Sequence, residues 1–180
     1  MQYSYGEEIN YYITKLNSDN VDLVQSFTCG NELIDHYLKN EAYRDEKAVT
    51  YLYLEESSNL MLGFASISCS GILCQHEKTC ITRPSISINY FAINTEIQHL
   101  PYDREQGEDR YCISDQMFCD LLSMCRMISN EYIGAEHVTL YSVPKAYSFY
   151  RRNMMSEFTE YMTRENYPYI EGCIPMFMAL

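Results

Sequence analysis

The sequence predicts one α/β domain spanning residues 1–180: a mixed, mostly antiparallel sheet of six or seven strands flanked by about four helices. Three observations predict it. Two β-rich runs, Val49–Glu55 and Leu60–Ser70, are joined by the polar turn Glu56-Ser57-Ser58-Asn59 and read as an antiparallel hairpin. From Ile86 onward, a strand, a long amphipathic segment and another strand follow in series, a strand–helix–strand unit that, after the hairpin, implies a mixed sheet. No internal repeat or linker-like composition break interrupts the 180 residues, a length that buries roughly 70% of the surface an unfolded chain exposes.

Each element has its own signal. Tyr11–Leu16 alternates like a first strand, and the polar cluster Asn17–Asn20 ends it. Val21–Phe27 is a short helix candidate. After the break at Cys29-Gly30-Asn31, Leu33, Ile34, Tyr37, Leu38 and Ala42 recur at three- and four-residue spacing, predicting a helix with one buried face. The hairpin follows, then a Cys-containing excursion, and Pro84 leads into Ile86–Ile93. That run is β-branched, aromatic and uncharged, so a central strand is expected. Asn94–Tyr111 is a long polar loop of the kind that carries function. Ser114 reads as an N-cap for a helix striped by Met117, Phe118, Leu121, Leu122, Cys125 and Ile128, ending near Tyr132-Ile133-Gly134. A strand at His137–Val143 precedes Pro144, which opens a short helix to Asn153. Last strands are expected near Ser156–Thr163 and at Cys173–Leu180.

Composition narrows function. Thirteen Lys and Arg against 25 Asp and Glu give 13 − 25 = −12, which speaks against duplex DNA or bulk RNA and favours cationic or neutral substrates. None of the seven glycines lies two residues from another, which removes the dinucleotide, Walker and kinase phosphate loops. Eight cysteines behind an N-terminus without a signal-peptide pattern are read as reduced thiols of a cytoplasmic protein. The longest apolar run, Ile174–Leu180, is too short to span a bilayer, so no membrane association is expected. Cys69, Cys74, His76 and Cys80 crowd twelve residues, but their spacings differ from structural zinc pairs. A Cys-rich hairpin is the better reading, and no metal is expected.

Three local patterns, together with the element order, resemble the GNAT family of acyl-CoA-dependent N-acyltransferases. Ala146 and Tyr150 stand at the spacing of the family's Asn-x-x-Ala-x-x-x-Tyr-x-x-x-Gly-Phe motif, with Val143 and Met154-Met155 at its outer positions. The run FTCGNELIDHYLKNEA, Phe27–Ala42, is similar to the opening of the toxin-like subgroup, and Pro175-Met176-Phe177-Met178 to its last strand. One departure stands out. The family's Arg/Gln-x-x-Gly-x-Gly/Ala pyrophosphate loop would begin near Gln98, where this chain reads QHLPYDR.

The resemblance implies acetyl-CoA as co-substrate and transfer of its acetyl group to an amine by direct attack. Tyr150 matches the acid that protonates the departing thiolate; a phenol, of reference pKa about 10, can donate at neutral pH. The backbone of Phe91, Ala92 and Ile93 would pair with the pantetheine arm, with Ala146 also beside the cofactor. Gln98, Arg104 and the helix start at Ser114 would rebuild the anion site from free N–H groups and positive charge. His99 is the candidate general base. A small cationic amine or a protein amine suits the acidic chain. The toxin-like subgroup instead implies aminoacyl-tRNA, and a GNAT-like binding module without a working cofactor loop is a further alternative. The C-terminal IPMFMAL reads equally as a homodimer edge or as a last strand buried within the monomer.

Overall fold

The computed structural model describes residues 9–98, 100, 111–165 and 170–180, with only the backbone at His76. Seven strands form one sheet in the order β1-β2-β3-β4-β5-β7-β6. They are β1 Tyr11–Lys15, β2 Val49–Glu55, β3 Met61–His76, β4 Thr79–Ile93, β5 His137–Ser142, β6 Ser156–Glu157 and β7 Ile174–Ala179; the α-helices are α1 Glu32–Asn40, α2 Ile113–Ile128 and α3 Tyr147–Arg152. Every described pairing register is antiparallel except β4 with β5. Among the described residues no helix is long and apolar enough to cross a membrane. The chain divides into two compact units, Met1–Ile67 with Tyr90–Cys119 and Ser68–Asn89 with Asp120–Leu180.

In the first unit, the expected helix at Val21–Phe27 is a 3-10 turn, Val21–Ser26, whose Val24 is buried together with Phe27. Phe27 meets Phe64 edge-on at 5.5 Å, within a cluster that includes Leu38, Leu52 and Leu54. Full burial of each such side chain is worth about 1.5–3 kcal/mol. Asn31 caps α1, accepting from the N–H groups of Leu33 and Ile34 at 3.1 and 3.4 Å. The helix buries Tyr37 and Leu38, but Leu33 is 82% exposed. The predicted apolar face therefore begins one residue later than the periodicity implied. Ala42 lies past the helix, in the 3-10 turn Ala42–Arg44.

Between β2 and β3 the register passes from Tyr53↔Gly63 to Leu54↔Met61, which leaves Leu62 as an extra residue. Its carbonyl accepts the N–H of Asn94 at 2.8 Å. At the adjoining Gly63 a Cβ would lie 2.8 Å from the Ala92 carbonyl oxygen and from Met117 Cε, so only glycine permits this approach.

The second unit holds the parallel pair, in register from Ser85↔His137 to Ile88↔Leu140. Ile86, Ile88, Val138 and Leu140 are buried, as a central strand pair requires. Gly134, at φ +64°, ends the helical segment that follows α2, its N–H reaching the Ser129 carbonyl at 2.8 Å.

Two expectations need correction. The Cys-rich stretch is the expected hairpin, but its strands extend past the expected bounds Ser70 and Ile86, because β3 runs to His76 and β4 starts at Thr79, with Glu77 at φ +51° in the two-residue turn. Cys69 and Cys80 are exposed on it and Cys74 is half-buried. The strand expected at Ser156–Thr163 is two residues long; beyond it Met162 bridges to Cys74, and the Thr163 N–H donates to the Leu73 carbonyl. Of the two readings left open for the C-terminal run, the structure gives the strand within the sheet, because β7 lies between β5 and β6.

Candidate functional site

The candidate residues sit on two strand-to-helix junctions. The first follows β4, where Phe91 is half-buried and Ala92, Ile93 and Asn94 are buried. Phe91 packs its ring 5.2 Å from Phe118 and 6.4 Å from Tyr53, while the neighbouring Tyr90 stacks on Tyr37 at 4.0 Å. Successive side chains of the strand thus anchor to different partners, leaving the main chain as the common feature. β4 continues to Ile93 past the last residue of its parallel register, Ile88.

Beyond Ile93 the chain turns on side-chain hydrogen bonds. Asn94 Nδ2 donates to the Met61 carbonyl at 3.1 Å, and its Oδ1 accepts the Glu96 N–H at 3.1 Å. Gln98 Nε2 donates to the carbonyls of Cys29 and Ile93, both at 3.0 Å. The Thr95 N–H donates to the Thr28 carbonyl at 3.0 Å. On the other side, Asp35 accepts the Thr28 hydroxyl at 2.7 Å and the Cys29 N–H at 2.9 Å. Burial works to raise the Asp35 pKa, but these hydrogen bonds outweigh it and the carboxyl is held below its usual range. The Cys29 thiol, half-buried beside that carboxylate, is pushed up to about 11 chiefly by burial. It is a neutral thiol at physiological pH, unsuited to nucleophilic work.

α2 begins one residue before the predicted cap. Ser114 is its second residue, buried, and the carboxylate of Asp115 accepts the Cys112 N–H at 2.9 Å. An acid that reaches back to the residue before the helix satisfies one of the donors an anion would have used, and brings negative charge to that helix end. His99 and Arg104, the candidate base and the loop cation, lie outside the described residues.

The second junction leaves β5 through Val143 and the 3-10 turn Pro144–Ala146, whose last N–H returns to the Val143 carbonyl at 2.9 Å. The proline has no N–H to waste at this first position. α3 then places Tyr150 8% exposed, with Phe149 edge-on at 5.1 Å. Burial pushes the Tyr150 phenol well above its usual value, so it keeps its proton throughout the physiological range. Arg151 donates to the Met155 carbonyl at 3.2 Å and the Arg152 guanidinium lies 5.2 Å over the Phe149 ring. Both basic side chains are exposed yet engaged within the turn that ends α3. Met154, at φ +66°, stands where the family motif has glycine, and the backbone keeps the left-handed conformation that glycine would favour.

Sequence reasoning missed Asp35, Asn94 and the tie between Gln98 and Cys29. The legible signal was the Phe27–Ala42 pattern, but its partner lies some 65 residues away in the chain.

No protein-family profile matches the sequence, and no curated protein matches it. Solved structures do. A bacterial toxin aligns with a TM-score of 0.71 at 16% identity, over 95% of this chain and 91% of that one. AtaTR bound with AcCoA aligns at 0.65 and 18% identity, over 94% and 92%. AtaT complexed with acetyl-methionyl-tRNAfMet aligns at 0.66 and 18%, over 92% and 94%. At these identities the likeness is one of fold: the chain has the mixed seven-stranded GNAT fold of the toxin structures.

Proposed function

We propose that this protein is an acetyl-CoA-dependent N-acetyltransferase whose acceptor is the amino group of an aminoacyl-tRNA. The observation that carries the activity is the buried, protonated Tyr150, four residues after Ala146 at the junction following the parallel strand. Its fold neighbours AtaTR bound with AcCoA and AtaT with acetyl-methionyl-tRNAfMet support the choice of donor and acceptor.

The residues present fit the cofactor. Ala92 carries a small side chain and, with Phe91 and Ile93, belongs to the part of β4 beyond its parallel register, where main-chain groups are suited to hold a pantetheine arm. Acetyl-CoA supplies an activated acyl group on a thiolate leaving group. Phe91–Ile93 would hold that arm, and Tyr150 Oη would donate the proton that the departing sulfur takes up. The phenol is protonated at physiological pH and so has a proton to give, and general acid catalysis of this kind contributes about 10²–10⁴-fold. His99 stays the candidate to accept the ammonium proton of the acceptor, which must lose it before attacking.

A second reading is favoured by the formal charge of −12, which attracts a small cationic amine more readily than RNA. Calorimetry with acetyl-CoA, followed by acetyl transfer to charged tRNA and to polyamines in parallel, tests both. Preferential labelling of charged tRNA is expected. Preference for the polyamine replaces the acceptor, and no binding of acetyl-CoA at millimolar concentration removes the enzyme.

A further inference from the structure

We propose that Gln98, Thr28 and Asp35 are positioning residues for the coenzyme A thioester, a buttress that clamps the end of β4 and aims the backbone of Ala92 and Ile93. This inference rests on the acetyltransferase reading. Its geometry is a continuous chain of bonds. Asp35 accepts from the Thr28 hydroxyl and the Cys29 N–H, the carbonyls of Thr28 and Cys29 accept from the Thr95 N–H and Gln98 Nε2, and the other Gln98 hydrogen reaches the Ile93 carbonyl. Gly30, at φ +79°, lets the loop lie flat here, with Thr95 Cγ2 3.4 Å from where its Cβ would be.

Two features set this apart from ordinary helix capping. α1 is already capped by Asn31, whose side chain accepts from both Leu33 and Ile34, so the Asp35 bonds are surplus to the helix. Further, both hydrogens of the Gln98 amide are spent on main-chain carbonyls of different elements. Gln98 occupies the position at which the GNAT pattern begins its pyrophosphate loop, yet its amide is turned inward and has no donor left for phosphate. The rigidity that a glycine loop would supply through backbone contacts to the ligand is here supplied by side-chain bonds to the main chain.

The test uses the full chain with coenzyme A itself. In Gln98→Glu the side chain keeps its size but loses both donors; in Thr28→Val the hydroxyl is lost, and in Thr28→Ser it is kept. A slight misplacement of an aligned contact surface costs up to about 10²-fold. Gln98→Glu and Thr28→Val should each weaken coenzyme A affinity by about tenfold or more and accelerate amide exchange at Thr95, while Tyr51 exchanges at the wild-type rate. Thr28→Ser should restore both. Unchanged exchange at Thr95 in Gln98→Glu overturns the buttress, and faster exchange with unchanged affinity overturns its link to the cofactor. If the wild-type chain does not bind coenzyme A, the acetyltransferase reading and the link fall together, while exchange at Thr95 still decides whether the buttress exists.

Discussion

The two strand-to-helix junctions solve the same problem by opposite means. After β4 the chain is held by polar bonds: Asn94, Gln98 and the Thr28–Cys29 turn satisfy main-chain groups from several elements, and a bulge at Leu62 supplies one more acceptor. After β5 it is held by a proline-led turn, by packing and by bonds between near neighbours in the chain, such as Arg151 to the Met155 carbonyl and Asn153 to the Phe149 carbonyl, with Tyr150 and Met155 buried while Val143 and Met154 remain 39% and 81% exposed. The difference teaches that a junction whose main chain is to serve as a contact surface needs the backbone around that surface fixed in advance. A junction that presents one side chain needs only to orient that side chain.

The sharpest test of this contrast is Tyr150→Phe. If the second junction exists to present a phenol, turnover falls by about 10²-fold or more, since that is the smaller end of what a general acid supplies. Steady-state rates alongside calorimetry should show coenzyme A affinity unchanged; full activity in the variant removes Tyr150 from the acid's role.

Packing at the first junction comes next. Gly63→Ala drives a Cβ to 2.8 Å from the Ala92 carbonyl oxygen, and overpacking of this sort costs about 1–3 kcal/mol, visible as a lower urea midpoint. Asn94→Ala leaves the Met61 carbonyl without its side-chain donor, at a cost of about 1–3 kcal/mol by the same measurement. A midpoint unmoved in both would mean that the turn after β4 carries no strain-bearing contacts, and the contrast between the junctions would dissolve.

Alkaline pH should weaken both units. Burial raises Cys125 from 9.0 to about 12 and Tyr37 from 10.0 to about 12. Folding favours the protonated forms, so this stability is complete below about pH 9 and is lost as pH rises from there through about 12. Urea midpoints at pH 8, 10 and 11 should fall in that order, and Cys125→Ala should flatten the first part of the decline. The smallest effect is expected at Met154, where a non-glycine residue holds φ +66°. Met154→Asn, which tolerates the left-handed region, should raise stability by up to about 1 kcal/mol.

Much of the fold was legible because the signals were local. The hairpin around Glu56–Asn59, the amphipathic stripe of α2 and the proline-led turn before α3 each state their structure within a dozen residues. The full length of the β3–β4 hairpin was not, because much of its outer half is exposed, Leu73 and Ile81 included, while Ile72 is buried, so no strict alternation marks it. β6 was overestimated for the converse reason: Phe158, Tyr161 and Met162 look like a strand, but past Glu157 the chain keeps one bond to β7, from the Phe158 N–H to the Pro175 carbonyl, and then turns to β3, which it meets in a bridge at Cys74.

For the site, the sequence by itself determined the alphabet: a tyrosine four residues past Ala146, an uncharged strand ending at Ile93, and no glycine loop after it. Short-range spacing and composition suffice for such statements because they concern residues that are neighbours in the chain. Only the tertiary structure decided what replaces the glycines near β4. Gln98 meets Cys29 across 69 positions and Asn94 meets Met61 across 33, and hydrogen bonds that close such distances leave no periodicity in the sequence to read. Likewise, the Tyr150 proton is secured by burial, a property conferred by everything folded around it.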